Sequence, residues 1–269
     1  MKAGKFMKKR MIALIEGIIA FAILLVIWNI ASNTGIFGRV SVKSSQLLLP
    51  GPFKVFHSMG EMIATGYLPK HIGISLLRVI KGFLIAVAIG IPVGIGMGMN
   101  RHFKNFLNPI FRLFAPIPGV AWVPLAILWF GLGDKAAIFI IVVGAISPII
   151  VNTLQGVNDV DSNLVQALKT LGANRRQIIF RCIVPSIIPH IVSGFKLGLG
   201  FAWRVVIAAE LVGVPDGMGY VLNIGRNTGK TDVTIVTILS LGIIMILMEE
   251  LFFVPLEKTT HHWKKTAEE

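Results

Sequence analysis

The stretch VQALKTLGANRRQIIFRCIVPSIIP, residues 165–189, places a polar segment, a glycine and a basic cluster inside an otherwise apolar chain. Apolar residues recur around its beginning at intervals of three and four, at Val157, Val160, Leu164, Leu168 and Leu171. This spacing puts them on one face of a helix, which Asp161 or Ser162 can cap and which Gly172 is placed to end. We therefore predict a short helix at about 161–172 with one apolar face.

Polar residues at the end of this segment favour a rigid surface helix over an open loop. Lys169 lies in the last turn of the predicted helix, where a positive charge interacts favourably with the helix dipole. Asn174 can cap a new helix that enters the membrane. The apolar face can dock on the protein's own spans or in a groove of a partner protein. The residues alone leave both possibilities open.

The composition is typical of a membrane protein. Of the 269 residues, 54% are hydrophobic and only 14% are charged, and the mean hydropathy is +0.77. Soluble domains usually carry about 25% charged residues. Apolar runs of about 20 residues, the length of a membrane-spanning helix, recur along the chain. We predict an all-α polytopic fold with six transmembrane helices, at about 11–30, 72–99, 106–130, 136–152, 177–211 and 234–256.

The predicted spans divide the chain into three parts. Residues 1–70 hold the first span and, after a Pro-Gly-Pro turn, a short amphipathic helix on the outer face. Residues 71–256 form the core transmembrane domain. Residues 257–269 form a cytoplasmic tail. Within the core domain we expect a long polar loop at 153–181 on the inside and a loop at 212–233 on the outside.

Two residue patterns distinguish individual spans. Small residues recur every four positions in the second span, at Gly90, Gly94 and Gly98. They allow neighbouring helices to approach closely, and packing within one subunit is favoured over a dedicated dimer face. The third span contains Pro116, Pro118 and Pro124. Because proline removes backbone donors, this span either lines a pathway or is kinked for packing.

The net charge of +13 needs a physical explanation. In a soluble protein it would suggest nucleic acid, but the basic residues here lie beside apolar spans without interleaved aromatic residues. Lys and Arg collect in the cytoplasmic loops of membrane proteins. About twice as many of them fall in the predicted inner segments as in the outer ones. This bias predicts that both termini are cytoplasmic and that nucleic acid is not a partner.

The sequence offers little for catalysis or metal binding. Cys182 is the single cysteine, which excludes an intrachain disulfide and a cysteine metal cluster, and the six histidines are scattered apart from one pair near the C-terminus. No P-loop, G-x-S-x-G or H-E-x-x-H motif is present. We expect neither a cofactor nor a metal, and we do not expect an enzyme.

Charged and aromatic residues within the spans are candidates for the substrate pathway, because buried charge is costly in a bilayer. The candidates are Arg204, Trp122, Trp203, Glu210 and Arg78. Arg204 can attract an anion, pair with a carboxylate or extend to the interface. Arg78 is expected to extend to the membrane surface, and Glu210 to lie near the outer side as a gate or docking residue. The two tryptophans are more typical of packing.

The opening stretch is similar to a known motif. Gln166-Ala167-Leu168-x₃-Gly172-x₉-Cys182-Ile183-Val184-Pro185 resembles the EAA loop, E-A-A-x₃-G-x₉-I-x-L-P, of permeases in bacterial ABC importers. The spacing is complete, whereas Gln replaces the Glu, Leu the second Ala, Cys the Ile and Val the Leu. The glutamine keeps the length and hydrogen bonding of glutamate and loses its charge, which affects the contact with the ATPase rather than docking itself.

Longer stretches resemble one subfamily of these permeases. Over residues 47–256 the chain is similar to permeases for nitrate, taurine, alkanesulfonate and bicarbonate. The stretches that carry this similarity are HIGISLLRVIKGF, PIPGVAWVPLAILWFGLGDKAAIF, NTLQGVNDVD and GFAWRVVIAAELVGVPDGMGY. The resemblance implies a type I ABC importer permease fold in the bacterial inner membrane. It also implies a small anionic solute. A neutral heterocycle such as a pyrimidine vitamin precursor is the alternative.

The resemblance further implies the partners and the mechanism. Two permease subunits would form the pathway, two ATP-binding subunits would bind the coupling helices, and a periplasmic or lipid-anchored protein would deliver the solute. ATP would close the ATPase dimer, move the coupling helices and tilt the spans from inward-open to outward-open. The residues assigned to coupling are Asp161, Leu164, Gln166, Ala167, Leu168, Leu171, Gly172 and Pro185. An ATP-independent secondary transporter is less favoured, because the halves show no internal repeat.

Overall fold

The computed structural model describes residues 2–34 and 46–256, and the regular elements in these ranges are helices. In chain order they are α1 (Lys2–Asn33), α2 (Pro52–Ala64), α3 (Tyr67–Met99), α4 (Arg101–Phe114), α5 (Val123–Phe130), α6 (Asp134–Asn158), α7 (Ser162–Thr170), α8 (Arg175–Gly213), α9 (Met218–Asn227) and α10 (Thr231–Leu256). A 3₁₀ turn at Gly119–Trp122 leads into α5, and π-helical turns at Ile179–Ile183 and Glu249–Phe253 interrupt α8 and α10. The predicted tail, 257–269, lies outside the described residues.

The predicted membrane fold is confirmed. In the described ranges, five helices are long and apolar enough to cross a membrane, and the bent pair of α4 with Gly119–Phe130 makes a sixth span if it is counted as one. The five are α1 from Ile15 onward, α3, α6, α8 and α10. Large apolar side chains such as Ile18 and Phe21 of α1 are mostly exposed, as lipid-facing residues of a span would be.

The third predicted span, 106–130, is bent sharply rather than continuous. The axis changes direction by 87° between α4 and the segment that begins at Gly119. Pro116 and Pro118 occupy the break, and Pro124 lies in the first turn of α5. Each proline lacks a backbone N–H donor and its ring crowds the preceding turn, so two prolines only two residues apart favour a break at this point. Proline is tolerated in a first turn, where the N–H has no partner in any case.

Both predicted loops of the core domain are shorter than expected. α6 continues to Asn158 and α8 begins at Arg175, so most of the 153–181 connection is helical. α9 lies inside the 212–233 segment that was predicted to be an outer loop. Hydropathy marks only the apolar part of a helix, whereas the same backbone hydrogen bonds continue through polar turns beyond it.

The chain forms two units. The first combines residues 2–69 with Val221–Leu239, as far as they are described. Here Ser32 Oγ donates to the carbonyl of Leu49 at 2.8 Å, and Ser58 Oγ donates to Asp232 Oδ2 at 2.7 Å. Val55 of α2 is fully buried, and Ser58 and Met62 of the same helix are buried with it. These contacts hold α2 within its unit.

The second unit comprises Lys70–Tyr220 and residues from Ser240 to 256, with α6 at its centre. Glycines of α3 face this helix without a side chain in between. A Cβ added at Gly94 would lie 2.7 Å from Cβ of Thr153, and one at Gly90 would lie 2.8 Å from Cγ2 of Ile149. These glycines therefore serve close packing within the subunit, as expected, because no larger residue fits between the two helices.

An adjoining face of α6 packs on α8 in the same way, since Ile149 contacts glycines of both helices. A Cβ added at Gly198 would lie 3.0 Å from Cγ1 of Ile149, and one at Gly194 would lie 3.1 Å from Cβ of Asn152. The contacts pair rising numbers on α8 with falling numbers on α6, so the two helices run antiparallel. α6 thus packs on glycine faces of two helices, which fixes the centre of the unit.

Candidate functional site

The short helix α7 has well-defined ends. The side chain of Asp161 accepts a hydrogen bond from the backbone N–H of Asn163 at 2.8 Å and caps the start. Gly172 adopts a φ of +79° just after the helix. The N–H of Gly172 donates to the carbonyl of Lys169 at 3.0 Å, and that of Ala173 donates to Leu168 at 2.9 Å. This pair of hydrogen bonds is a Schellman motif, which requires a left-handed residue at the glycine position. The predicted end of the helix is therefore found where Gly172 was expected to place it.

A second cap follows immediately. Asn174 Oδ1 accepts from the N–H of Gln177 at 2.9 Å, and Gln177 Oε1 accepts from the N–H of Asn174 at 2.8 Å. This reciprocal capping box starts α8. Pro185, at the end of the EAA-like spacing, lies half-buried just after the π-helical turn of α8. Between the two caps the chain has little freedom, so α7 is held rigidly against the start of α8.

The two sides of α7 have different surroundings. Val165 and Leu168 are partly buried and pack on a cluster formed by Val157, Ile178, Ile183 and Ile187. Leu164 is 54% exposed and Leu171 is 82% exposed, and Ala167 between them is exposed as well. Residues 164, 167 and 171 are separated by three and four positions, so they share one face of the helix.

The apolar stripe predicted from the sequence is therefore divided. Val157 belongs to the end of α6, and Leu168 faces the protein, while Leu164 and Leu171 face outward. The stripe was expected on a single helix, and this was wrong because α6 continues to Asn158. Gln166 lines a cavity of about 710 Å³ between α7 and the ends of neighbouring helices, together with Lys169.

A cluster of four charged side chains, centred on the buried Arg78, connects parts of the second unit that are far apart in the sequence. Arg78 of α3 is 3% exposed, and its Nη1 lies 2.8 Å from Oε1 of Glu210. Its Nε donates to Asp134 Oδ1 at 2.7 Å, and Nη2 pairs with Asp216. Glu210, which is 1% exposed, also accepts from the hydroxyl of Ser75 at 2.8 Å. The expectation that Arg78 extends to the membrane surface was wrong, because its side chain is buried and pairs with three carboxylates, of which Glu210 is buried and Asp134 and Asp216 are partly exposed.

The same cluster fixes the start of α9. The N–H of Gly219 donates to Glu210 Oε2 at 2.9 Å, and that of Met218 donates to Ser75 Oγ at 2.8 Å. The N–H of Gly217 donates to His71 Nδ1 at 3.0 Å. Arg78 and Glu210, both named as pathway candidates, are thus fully engaged by the protein's own groups. Sequence reasoning missed Asp134 and Asp216, since no local pattern links residues so far apart in the chain.

The other pathway candidates have different positions. Trp203 is 3% exposed, and its Nε1 donates to the carbonyl of Leu241 at 3.2 Å, which makes it a packing residue. Trp122 lines a cavity beside the bend between α4 and α5. Arg204 is exposed, and its guanidinium carbon lies 5.9 Å from the ring centroid of Phe201, another cavity residue. In the described ranges no group of three His, Cys, Asp or Glu side chains is placed to hold a metal ion.

The fold and these sites define a multi-pass membrane protein with a rigid, capped helix between two spans. Residues 86–253 match the model of the family described as binding-protein-dependent transport system inner membrane component. The chain belongs to this family, and it is the permease component of such a transport system. The family consists of transport components rather than enzymes.

Relatives support the same assignment. The chain is 36% identical over 233 residues to a putative ABC transporter permease protein of Methanocaldococcus jannaschii, covering 85% of this chain and 84% of that one. It is 32% identical over 228 residues to the taurine transport system permease protein of Escherichia coli, covering 85% and 82%. It is 30% identical over 253 residues to a putative aliphatic sulfonates transport permease protein of Bacillus subtilis, covering 94% and 89%. The resemblance drawn from the sequence is confirmed.

A solved structure shares the fold. The inward-facing methionine ABC transporter MetNI contains a chain that superposes with a TM-score of 0.60 at 20% sequence identity, over 72% of this chain and 95% of that one. The predicted type I ABC importer permease fold is confirmed by this similarity.

Proposed function

We propose that the chain is the permease subunit of an ATP-driven importer for a small anionic solute, and that α7 is the helix that couples it to ATP hydrolysis. A separate ATP-binding subunit supplies the hydrolysis, because the chain has no P-loop. A substrate-binding protein delivers the solute. The exposed apolar face of α7 is the observation that carries the proposal.

The exposed face fits a protein partner. Leu171 is 82% exposed at the tip of a helix whose opposite side is docked on the protein's own core. An exposed leucine face on a rigid, double-capped helix suits insertion into an apolar groove. Since Val165 and Leu168 anchor α7 to α8, a partner that moves α7 also moves the adjacent span. The coupling residues proposed on this basis lie on α7, at its C-terminal glycine and in the span that follows. They are Asp161, Leu164, Gln166, Ala167, Leu168, Leu171, Gly172 and Pro185.

The proposed assembly is the one that the family resemblance implies, and the proposed orientation comes from the distribution of charge. Two copies of the chain form the pathway, two ATP-binding subunits bind the two α7 helices, and both termini lie in the cytoplasm of the cell whose inner membrane holds the importer. The excess of Lys and Arg in the segments on the α7 side supports this orientation.

The solute class is supported by the named relatives and by charge. Both relatives whose solutes are named transport sulfonates, since taurine is an aminosulfonate. The Lys and Arg residues of the predicted outer segments favour the approach of anions from that side through long-range attraction. Nitrate and bicarbonate belong to the same class of small anions. No relative named above supports a neutral heterocycle or an ATP-independent transporter.

Co-expression with the ATP-binding subunit tests the proposal. Taurine uptake into reconstituted vesicles is expected to require ATP and the ATP-binding subunit on the α7 side of the membrane and the binding protein on the opposite side. Uptake by the permease alone would contradict it and would indicate a secondary transporter.

Variants of α7 separate its two faces. Leu171→Asp is expected to abolish retention of the ATP-binding subunit without lowering the melting temperature, because the leucine side chain is 82% exposed. Leu168→Asp is expected to lower the melting temperature as well, since a charge would enter the core cluster. Lys169→Ala, on the flank, is the control and should change neither property. If all three variants retain the ATP-binding subunit equally, α7 does not couple the permease to it.

A further inference from the structure

An apolar cavity lies beside the bend between α4 and α5. Its volume is about 800 Å³, and its walls come from the bend, from the middle of α6 and from α8. Phe111, Phe114, Phe139 and Phe201 contribute aromatic surface. Ser147 and Asn152 of α6 contribute polar side chains, and no carboxylate lines the cavity. The cavity is therefore roomy enough for a small solute and free of charges that repel an anion.

The cavity wall contains a hydrogen-bond donor without an acceptor. Nε1 of Trp122 is buried and makes no hydrogen bond to any residue in the described ranges. The ring of Trp122 lies 5.7 Å from that of Phe114, centroid to centroid. A buried donor that lacks an acceptor destabilises a protein, so such groups are rare unless a ligand or another molecule completes them.

Arg204 of α8 carries a positive charge beside the cavity, with its guanidinium carbon 5.9 Å from the ring centroid of the wall residue Phe201, although Arg204 is not itself a wall residue. Leu197, Phe201 and Val205 of α8 line the cavity, and Arg204 is three positions from Phe201 and seven from Leu197. These separations put Arg204 on the same side of the helix. Its side chain is exposed, and no carboxylate among the described residues forms an ion pair with it. This contrasts with Arg78, which pairs with three carboxylates.

The position along the span is also unusual for an arginine. Val205 packs against Gly144, near the middle of α6, so Arg204 lies well away from both ends of the antiparallel partner helix. An unpaired cation at this depth is costly in a bilayer and marks a pathway or a ligand site.

We propose that this cavity is an anion-binding station of the translocation pathway, in which Arg204 holds the oxyanion head group and Trp122 Nε1 donates a hydrogen bond to it. The aromatic and proline walls then accommodate a short hydrocarbon tail. A sulfonate such as taurine has both parts, a compact oxyanion and a short carbon chain. This inference rests on the proposed function, because it gives the transported anion a site within the permease itself.

Labelling of the cavity tests the site without knowledge of the solute. Ser147→Cys, in a Cys182→Ala background, places a thiol in the cavity wall. The probes are two methanethiosulfonate reagents of similar size, one ending in ethylsulfonate and one in ethyltrimethylammonium. The ratio of their reaction rates reports the local potential, and access or misfolding affects both reagents alike.

The expected result depends on the charge at position 204. Arg204→Gln should lower the sulfonate-to-ammonium rate ratio at least about threefold, because one nearby cation is lost. Arg204→Lys should preserve the ratio. An unchanged ratio in Arg204→Gln, or a thiol at 147 that neither reagent reaches, would overturn the proposed site.

Uptake of taurine by the complete importer links the site to transport. Arg204→Gln and Trp122→Phe are expected to raise the KM for uptake by about tenfold and a few-fold respectively, with ATPase assembly intact. Trp129→Phe, on α5 but outside the cavity wall, is the matched control and should leave KM unchanged. A normal KM in both cavity variants would overturn the role in transport. If the wild-type importer takes up no taurine, the proposed solute class is wrong, and the labelling ratio still decides whether the cavity selects anions.

Discussion

The Nη1 atom of Arg78 lies 2.8 Å from Oε1 of Glu210, and both side chains are almost entirely buried. The two residues are 132 positions apart and belong to different spans. Because Glu210 also accepts from the N–H of Gly219, the pair connects two spans to the start of α9. The pair is therefore a structural clamp between the two spans.

Breaking the clamp should destabilise the protein. Arg78→Gln leaves Glu210 buried without its cation, a change that costs about 3–5 kcal/mol in buried ion pairs. We expect a clearly lower melting temperature in detergent for this variant. Arg112→Gln, which removes an exposed arginine from α4, is the control and should melt like the wild type. Equal melting of Arg78→Gln and Arg112→Gln would show that the clamp contributes nothing to stability.

The glycine face of α3 permits a matched packing experiment. A side chain at Gly94 would collide with Thr153, whereas a Cβ at Gly73 of the same helix meets no atom within 4 Å. Gly94→Val is expected to destabilise the protein by about 1–3 kcal/mol through overpacking, and Gly73→Val far less. Thermal unfolding followed by tryptophan fluorescence measures both. A similar loss in the two variants would mean that helix propensity, not the contact with α6, determines the effect.

The end of α7 depends on backbone conformation at one residue. Gly172 has a φ of +79°, and a Cβ there would meet no atom within 4 Å, so the position is restricted by conformation and not by space within this chain. Gly172→Val should lose about 1–2 kcal/mol locally and weaken capture of the ATP-binding subunit. Asparagine adopts the left-handed region more readily than valine, so Gly172→Asn should retain most of the capture of the ATP-binding subunit. Pull-down at equal expression measures the difference, and equal capture by Val and Asn variants would contradict the prediction.

The orientation can be checked with single cysteines in a Cys182→Ala background. Ser162→Cys at the start of α7 is expected to be inaccessible to a membrane-impermeant thiol reagent applied to whole cells with a permeabilised outer barrier. Pro215→Cys is expected to react. Pro215 is exposed and precedes Asp216, which is itself unsuitable because it pairs with Arg78. Reaction at 162 and protection at 215 would reverse the proposed topology.

The sequence predicted best those features that local chemistry determines. Gly172 ends α7 and Asn174 starts α8 because each fits a cap that only a few residue types can make. The glycines of α3 were recognised from their four-residue spacing, which reflects the helix period. Five of the six predicted spans followed from the length of the apolar runs, and the sixth corresponds to the bent pair of α4 with Gly119–Phe130.

Features that depend on residues far apart in sequence were not predictable. No residue close to Arg78 in the sequence indicates that Asp134 and Asp216 lie beside it, so the Arg78 side chain was expected to extend to the membrane surface. The division of the apolar stripe depends on where α6 ends. The last turn of α6 is polar, so the hydropathy of the sequence does not show that the helix continues through it. The 87° bend required more than the presence of Pro116 and Pro118, because prolines also occur inside α3, α6 and α8 without ending them.

The central claim is that α7 meets the ATP-binding subunit through its exposed face, and photo-crosslinking tests it most directly. A photoreactive benzoylphenylalanine placed at Leu171 should capture the ATP-binding subunit in the assembled importer, identified by mass spectrometry. The same group at Leu251, which is 68% exposed on the last span, should capture lipid or another permease and not that subunit. Capture of the ATP-binding subunit from 171 alone is the predicted result. Its absence from 171 in an importer that still hydrolyses ATP and transports solute would contradict the account.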